Sequence, residues 1–201
     1  MDVEIRAVGA DALERFAQVP SIVRVGSLLR VELLDDGLGG MLLREEKVDP
    51  PYLKDYDGSS EGGPENWPRQ FDVRNWGFFL ALEGERPVGA AAVAFDTPGV
   101  HMLAGRQDLA VLWDIRVHPD LWGRGIGPRL FRVAADWARQ HGARQLKIET
   151  QNVNVRACRF YRQQGARLGE IDRYGYAGHP HVAHEVELVW YLELEQVAGS
   201  K

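Results

Sequence analysis

A chain of 201 residues, 45% hydrophobic and 26% charged, has the profile of an ordinary globular protein and is long enough for one domain with a substantial core. A net charge of −5 argues against a nucleic-acid surface, which needs a basic face, and fits a cationic partner. The single cysteine, Cys158, excludes an internal disulfide and a thiolate metal cage.

Residues 3–8 alternate apolar and polar and predict a short strand, and residues 11–17 a helical turn. Residues 28–34 and 41–48 are strand-like, and the turn-rich 35–40 between them predicts a hairpin. From Glu45 to Pro68 there are seven acids against two lysines, and residues 50–68 are rich in Gly, Pro and Ser. Residues 45–69 therefore read as an acidic loop, either a solvated connection or a lid over a cationic substrate. Strands are predicted at 76–82 and 87–95, joined by Glu83-Gly84-Glu85, and at 110–117. Residues 127–140 predict a helix. Pro128 suits its first turn, Leu130, Val133, Ala134, Trp137 and Ala138 share one face, and Gly142 ends it. A strand at 145–150 leads to a helix at 154–164, capped by Asn154 and closed by Gly165. Strands at 167–176 and 183–194 follow.

The turn at 118–128 joins a strand to a helix and carries Gly123, Gly125 and Gly127 at alternate positions. Glycines there let the backbone turn sharply and approach a ligand, while amides at a helix N-terminus suit phosphates. Arg124 adds a positive charge. A P-loop would need a Gly-Lys-Ser or Gly-Lys-Thr ending, which is missing. In a dinucleotide turn the third glycine would come later, early in a parallel βαβ unit. A pyrophosphate cradle for coenzyme A is the third reading.

Three segments taken together carry a resemblance: Ile115-Arg116-Val117-His118-Pro119, then Gly123-Arg124-Gly125-Ile126-Gly127, then Asn154-x-x-Ala157-x-x-x-Tyr161-x-x-x-Gly165. In order and spacing they resemble the GNAT acetyltransferase signature. Pro51-Tyr52-Leu53-Lys54-Asp55-Tyr56, Glu149-Thr150-Gln151-Asn152-Val153-Asn154, Ala157-Cys158, Ile171-Asp172 and Val189-Trp190-Tyr191 further resemble the streptothricin acetyltransferases. The resemblance implies one GNAT-like α/β domain over residues 1–201, with a mixed, mostly antiparallel twisted sheet flanked by helices. Its acetyl-CoA-binding core would lie at 109–165. It implies direct transfer of acetyl from the co-substrate acetyl-CoA to a primary amine of a small cationic molecule, streptothricin among the candidates. A protein amine, or a non-catalytic acyl-CoA-binding sensor module, are the other readings. The sequence departs from the family at Trp122, where Arg or Gln is usual, and at Pro128, which lacks an N–H. It departs again at Trp113, where the streptothricin enzymes usually carry the Glu of a Glu-x-Ile pattern.

The resemblance assigns the backbone of Ile115 and Val117 to the pantetheine arm. Arg116 and the Gly123–Gly127 turn, with Arg124 and Ile126, would serve the rest of the cofactor. Tyr161 would protonate the leaving thiolate, and its pKa of ~10 suits donation to a thiolate of pKa ~8.5. Asn154 would either cap its helix or bind a pantetheine amide. Asp114 and Glu149 are the candidate bases; Asp114 shares a strand face with Arg116, so an ion pair competes with that role. Tyr52, Asp55, Asp57, Asp172 and Tyr174 are the candidate acceptor-binding residues, with Tyr176 on the same late strand. His179, His181 and His184 lack a completed ligand set, so no metal is expected. No apolar stretch approaches the ~20 residues that span a bilayer. The first residues do not read as a secretory signal, so a cytoplasmic protein without membrane contact is expected. Trp190 and its apolar neighbours suggest a strand-mediated homodimer.

Overall fold

The computed structural model describes residues 2–58 and 62–195, so residues 59–61 of the predicted acidic loop lie outside the described residues. The strands are β1 (Val3–Val8), β2 (Ile22–Leu34), β3 (Gly40–Asp55), β4 (Gly77–Glu83), β5 (Arg86–Phe95), β6 (Leu109–Val117), β7 (Gln145–Gln151), β8 (Arg167–Asp172) and β9 (Glu187–Glu193). The helices are α1 (Leu13–Ala17), α2 (Trp67–Gln70), α3 (Ile126–Gln140) and α4 (Val155–Gln163). Seven strands form a mixed, mostly antiparallel sheet in the order β1-β4-β5-β6-β7-β9-β8, and β2 and β3 form a separate two-stranded sheet. Among the described residues no helix is long and apolar enough to cross a membrane.

The described residues divide into two compact units, residues 2–21, 55–58, 62–148 and 192–195, and residues 22–54 and 149–191. In the first, β1, β4, β5 and β6 form an antiparallel meander whose central strands are buried on both faces. Successive residues of a strand point to opposite faces, so Phe78 and Phe79 serve different layers. Phe79 meets Trp137 of α3 edge-on, whereas Phe78 joins Phe16, Trp67 and Trp76 in an aromatic cluster. Helix α3 seats directly on sheet backbone. A Cβ on Gly77 would come within 2.8 Å of the Trp137 ring, and one on Gly89 within 2.9 Å of Leu130.

The second unit corrects two expectations. The hairpin is much longer than predicted, because β3 runs through Pro50 and Pro51 to Asp55. The first part of the predicted acidic loop is therefore strand. Its acids serve the hairpin: Glu45 pairs with Arg159 of α4 and accepts from Ser27, Glu46 pairs with Arg30, and Asp49 with Lys47. In the first unit, further along the same predicted loop, Pro64–Asn66 and Trp67–Gln70 are helical, and Trp67 is buried. The second correction concerns the late strand. β8 ends at Asp172, whose carboxylate accepts from the Tyr174 backbone N–H at 2.8 Å and turns the chain. Tyr174 and Tyr176 thus belong to a run of turns, not to a strand.

Candidate active site

β6 carries the first set of predicted residues. Its register with β5 passes from Ala92–Asp114 to Val93–Leu112, leaving Trp113 as the extra residue of a β-bulge. Trp113 then packs on Trp76 and Phe71, each with ring centroids 5.1 Å away, so the residue at the family's Glu position belongs to the aromatic core. The parallel ladder with β7 spans Leu109–Val111 and stops well before β6 itself ends at Val117. Ile115 and Val117 lie in that farther stretch. The indole Nε1 of Trp122 donates to the Val117 carbonyl at 2.8 Å and so ties the glycine turn to the end of the strand.

Gly123 and Gly125 have φ values of +77° and +78°, in the left-handed region that favours glycine. A Cβ on either would meet nothing within 4 Å, so the space before the turn is open. Gly125 is the residue before α3 and gives it no side-chain cap. The first-turn N–H groups of a helix lack intrahelical partners and carry its positive dipole end. With Ile126 and Gly127 opening the helix and Arg124 exposed beside them, this is a cradle fit for a diphosphate. Pro128 removes one donor from it.

Arg116 does not serve that cradle with its side chain. The guanidinium, only 2% exposed, uses all five of its N–H donors. Nε and Nη2 donate to Asp114 at 2.9 and 2.5 Å, Nη1 and Nη2 to Asp57 at 2.7 and 3.0 Å, and Nη1 to the Val19 carbonyl at 3.1 Å. It also lies 5.2 Å from the Phe16 ring centroid. Burial alone would lower its pKa, but the two carboxylates outweigh burial and raise it. The ion pair therefore claims Asp114, the predicted base, and Asp57, the predicted acceptor ligand. Asp55 accepts from the Asp57 backbone N–H at 3.0 Å and shapes the turn that delivers Asp57. Arg116→Met should destabilise the fold by about 3–5 kcal/mol, because it strands two carboxylates in a largely buried place. Urea unfolding checks this; a loss under about 1 kcal/mol would mean that the network is not holding the unit together.

The second unit holds the other predicted residues. Along β7, residues 145, 147, 149 and 151 alternate with buried ones, so Glu149 and Gln151 share a half-buried face. Asn154 acts as helix cap: its Oδ1 accepts from the Ala157 N–H at 3.1 Å. Tyr161 lies on the buried face of α4 with Val155 and Cys158. Burial pushes the Cys158 thiol up to about 12, so at neutral pH it is no thiolate nucleophile. Tyr52 is 41% exposed and Tyr174 71% exposed. Burial, then the charge of Glu185, raises the Tyr52 pKa. Asp172 stands opposite Glu187 in the β8–β9 ladder. Trp190, expected at a dimer surface, is instead buried within the chain.

Three residues of this unit, Gln151, Asn152 and Glu185, escaped the functional reading, and Tyr176 was named only as a late-strand neighbour of the acceptor-binding candidates. Asn152 is buried and bonded through both backbone and side chain: its carbonyl accepts from the Leu29 N–H, its N–H donates to the Val186 carbonyl, and its side-chain amide donates to the Leu29 carbonyl and accepts from the Val186 N–H. Its place in the Glu149–Asn154 motif was the available signal. Tyr176 and Gln151 engage Glu149, with the Tyr176 hydroxyl donating to it at 2.6 Å. Glu185, also buried, pairs with Lys54, and no local pattern announces that long-range contact.

The sequence profile of the acetyltransferase (GNAT) family matches residues 42–166. A streptothricin acetyltransferase of Streptomyces lavendulae is 31% identical over 194 residues, covering 95% of this chain and 94% of that protein. Among solved structures, a nourseothricin acetyltransferase superposes with a TM-score of 0.75 at 24% identity, over 97% of this chain and all of the other. A Bacillus anthracis protein solved in complex with acetyl coenzyme A gives a TM-score of 0.73 at 25% identity, over 97% of this chain and 99% of its own.

Proposed function

The chain belongs to the GNAT acetyltransferase family and is an acetyl-CoA-dependent N-acetyltransferase, and from that premise we propose that it acetylates a primary amine of streptothricin or a closely similar small cation. The observation that carries the acceptor is the likeness to a streptothricin enzyme along nearly the whole of both chains. The 45–69 segment does not carry the cation in this reading, because its described acids are largely spent on hairpin pairs and on Arg116.

Bound acetyl-CoA supplies the thioester carbon that the amine attacks. The glycine turn and the start of α3 bind its diphosphate. The β6 backbone around Ile115 and Val117, beyond the end of the ladder with β7, would align its arm and offer an N–H to the developing oxyanion. Of the two candidate bases Glu149 is preferred, because Arg116 holds Asp114 as a charged structural partner. Glu149 takes the proton from the acceptor ammonium, and Tyr161 gives its proton to the departing thiolate. The test is an acceptor panel followed by free-thiol release, containing streptothricin, spermidine, free lysine and an N-terminal peptide. Streptothricin should show the largest kcat/KM by about 100-fold or more, on the scale that a buried, charge-reading site discriminates. A panel led by the peptide would replace the small cation with a protein amine.

A further inference from the structure

The strongest unassigned feature is a hydrogen-bonded chain around Glu149. Glu149 and Gln151, two apart on one face of β7, both reach a side chain that comes from the turns after β8. Tyr176 donates its hydroxyl proton to Glu149 Oε1 at 2.6 Å and accepts from Gln151 Nε2 at 2.9 Å. A tyrosine hydroxyl has one proton, and the Gln151 bond directs it toward the carboxylate. Burial, the Glu149 charge and bond, and the Glu187 charge together raise the Tyr176 pKa, so it remains a donor.

The segment bearing Tyr176 is built to stay in place. Asp172 starts it through the Tyr174 N–H, and backbone bonds from Ala177 to Tyr174, His179 to Tyr176, Val182 to His179 and Glu185 to Val182 continue it as successive turns. Glu185 then ends it in a buried pair with Lys54 of β3. A lone surface tyrosine would not need such anchoring at both ends.

We infer that Tyr176 is a positioning residue for Glu149: its hydroxyl engages Oε1, holds the orientation of the carboxylate and leaves Oε2 as the oxygen that takes the acceptor's proton. Gln151 acts one step further out by orienting the tyrosine hydroxyl. This rests on the reading of Glu149 as base.

The test is a double-mutant comparison of the parent, Tyr176→Phe, Glu149→Gln and the double variant, using the best amine of the acceptor panel. Coenzyme A affinity by calorimetry and melting temperature serve as controls. Tyr176→Phe keeps the ring, so the fold and coenzyme A affinity should hold. Its kcat should fall about tenfold or more, as removal of a bond to a charged group does, with KM changing less. In the Glu149→Gln background the same change should cost less than about twofold, because residues that act as a unit are non-additive. Gln151→Met should give a smaller loss of the same kind. Losses that multiply across the two backgrounds would overturn the inference, since a merely structural hydroxyl has no reason to depend on the carboxylate. An unchanged kcat in Tyr176→Phe alongside a slow Glu149→Gln would overturn it and leave Glu149 as base. Full activity in Glu149→Gln would remove the base assignment and the inference together.

Discussion

Turnover should fall about 100-fold in Tyr161→Phe, the usual worth of a general acid, while coenzyme A affinity stays within about twofold. When the tetrahedral adduct collapses the sulfur leaves as a thiolate, and a proton delivered at that moment prevents its return. A phenol of pKa ~10 is a competent donor to a thiolate of pKa ~8.5, and it regains its proton from water between cycles. Tyr161 sits on the buried face of α4, two positions of which are Val155 and Cys158. The neighbouring thiol cannot take over cheaply, because its own proton is held to about 12 by burial. Phenylalanine keeps the ring and its packing, so the melting temperature should move little and the loss should appear in kcat. Single-turnover measurements establish that chemistry limits the rate. A single-turnover rate equal to the parent's would reduce Tyr161 to a packing residue.

The elements that sequence made legible are those whose signal is local. Residues 127–140 read as a helix because their apolar positions repeat at helical spacing, and α3 buries Leu130, Ala134 and Ala138 as that repeat requires. Asn154 read as a cap because Asn before a helix has one short-range use, and its side chain takes it. The glycine turn was legible for the same reason, since left-handed backbone at Gly123 and Gly125 leaves few alternatives to glycine.

What the sequence hid was long-range. Residues 49–55, beyond the predicted strand, looked like a loop because Pro50 and Pro51 discourage strand assignment, yet the two-stranded sheet tolerates them in β3. The surplus of acids from Glu45 onward resembled a cation site, but several of their partners lie far off in the chain: Arg159 for Glu45, Arg30 for Glu46 and, just past the strand, Arg116 for Asp57. Arg116 itself read as part of the cofactor signature, and nothing near it in sequence tells that its donors are taken by Asp57 and Val19. Asp114 alone was legible as its partner, being two residues away on the same strand face. Tyr176 read as a strand residue because the turn that begins at Asp172 depends on a side-chain bond that alternation does not encode.

Gly125→Asp should weaken coenzyme A binding by roughly two orders of magnitude or more, the largest effect expected of any single change in the cradle. Backbone strain and charge both contribute. The backbone at Gly125 has φ +78°, which costs a residue with a Cβ about 1 kcal/mol, although Asp tolerates that region better than most. Charge contributes more. A side chain built on Gly125 points into open space with nothing within 4 Å, the same space that the diphosphate would fill at the start of α3. A carboxylate there opposes a dianion at close range in a site that the helix dipole otherwise makes favourable. Gly125→Asn separates strain from charge, because Asn is nearly isosteric with Asp, equally at home in the left-handed region and uncharged. The Asn variant should lose about tenfold or less, and the further loss in Asp should shrink as ionic strength rises, since salt screens repulsion but not strain. Calorimetry at low and high salt gives both comparisons. Equal losses for Asn and Asp at every salt would show that the turn fails by backbone strain alone, and parent-like affinity in both would place the diphosphate somewhere other than this turn.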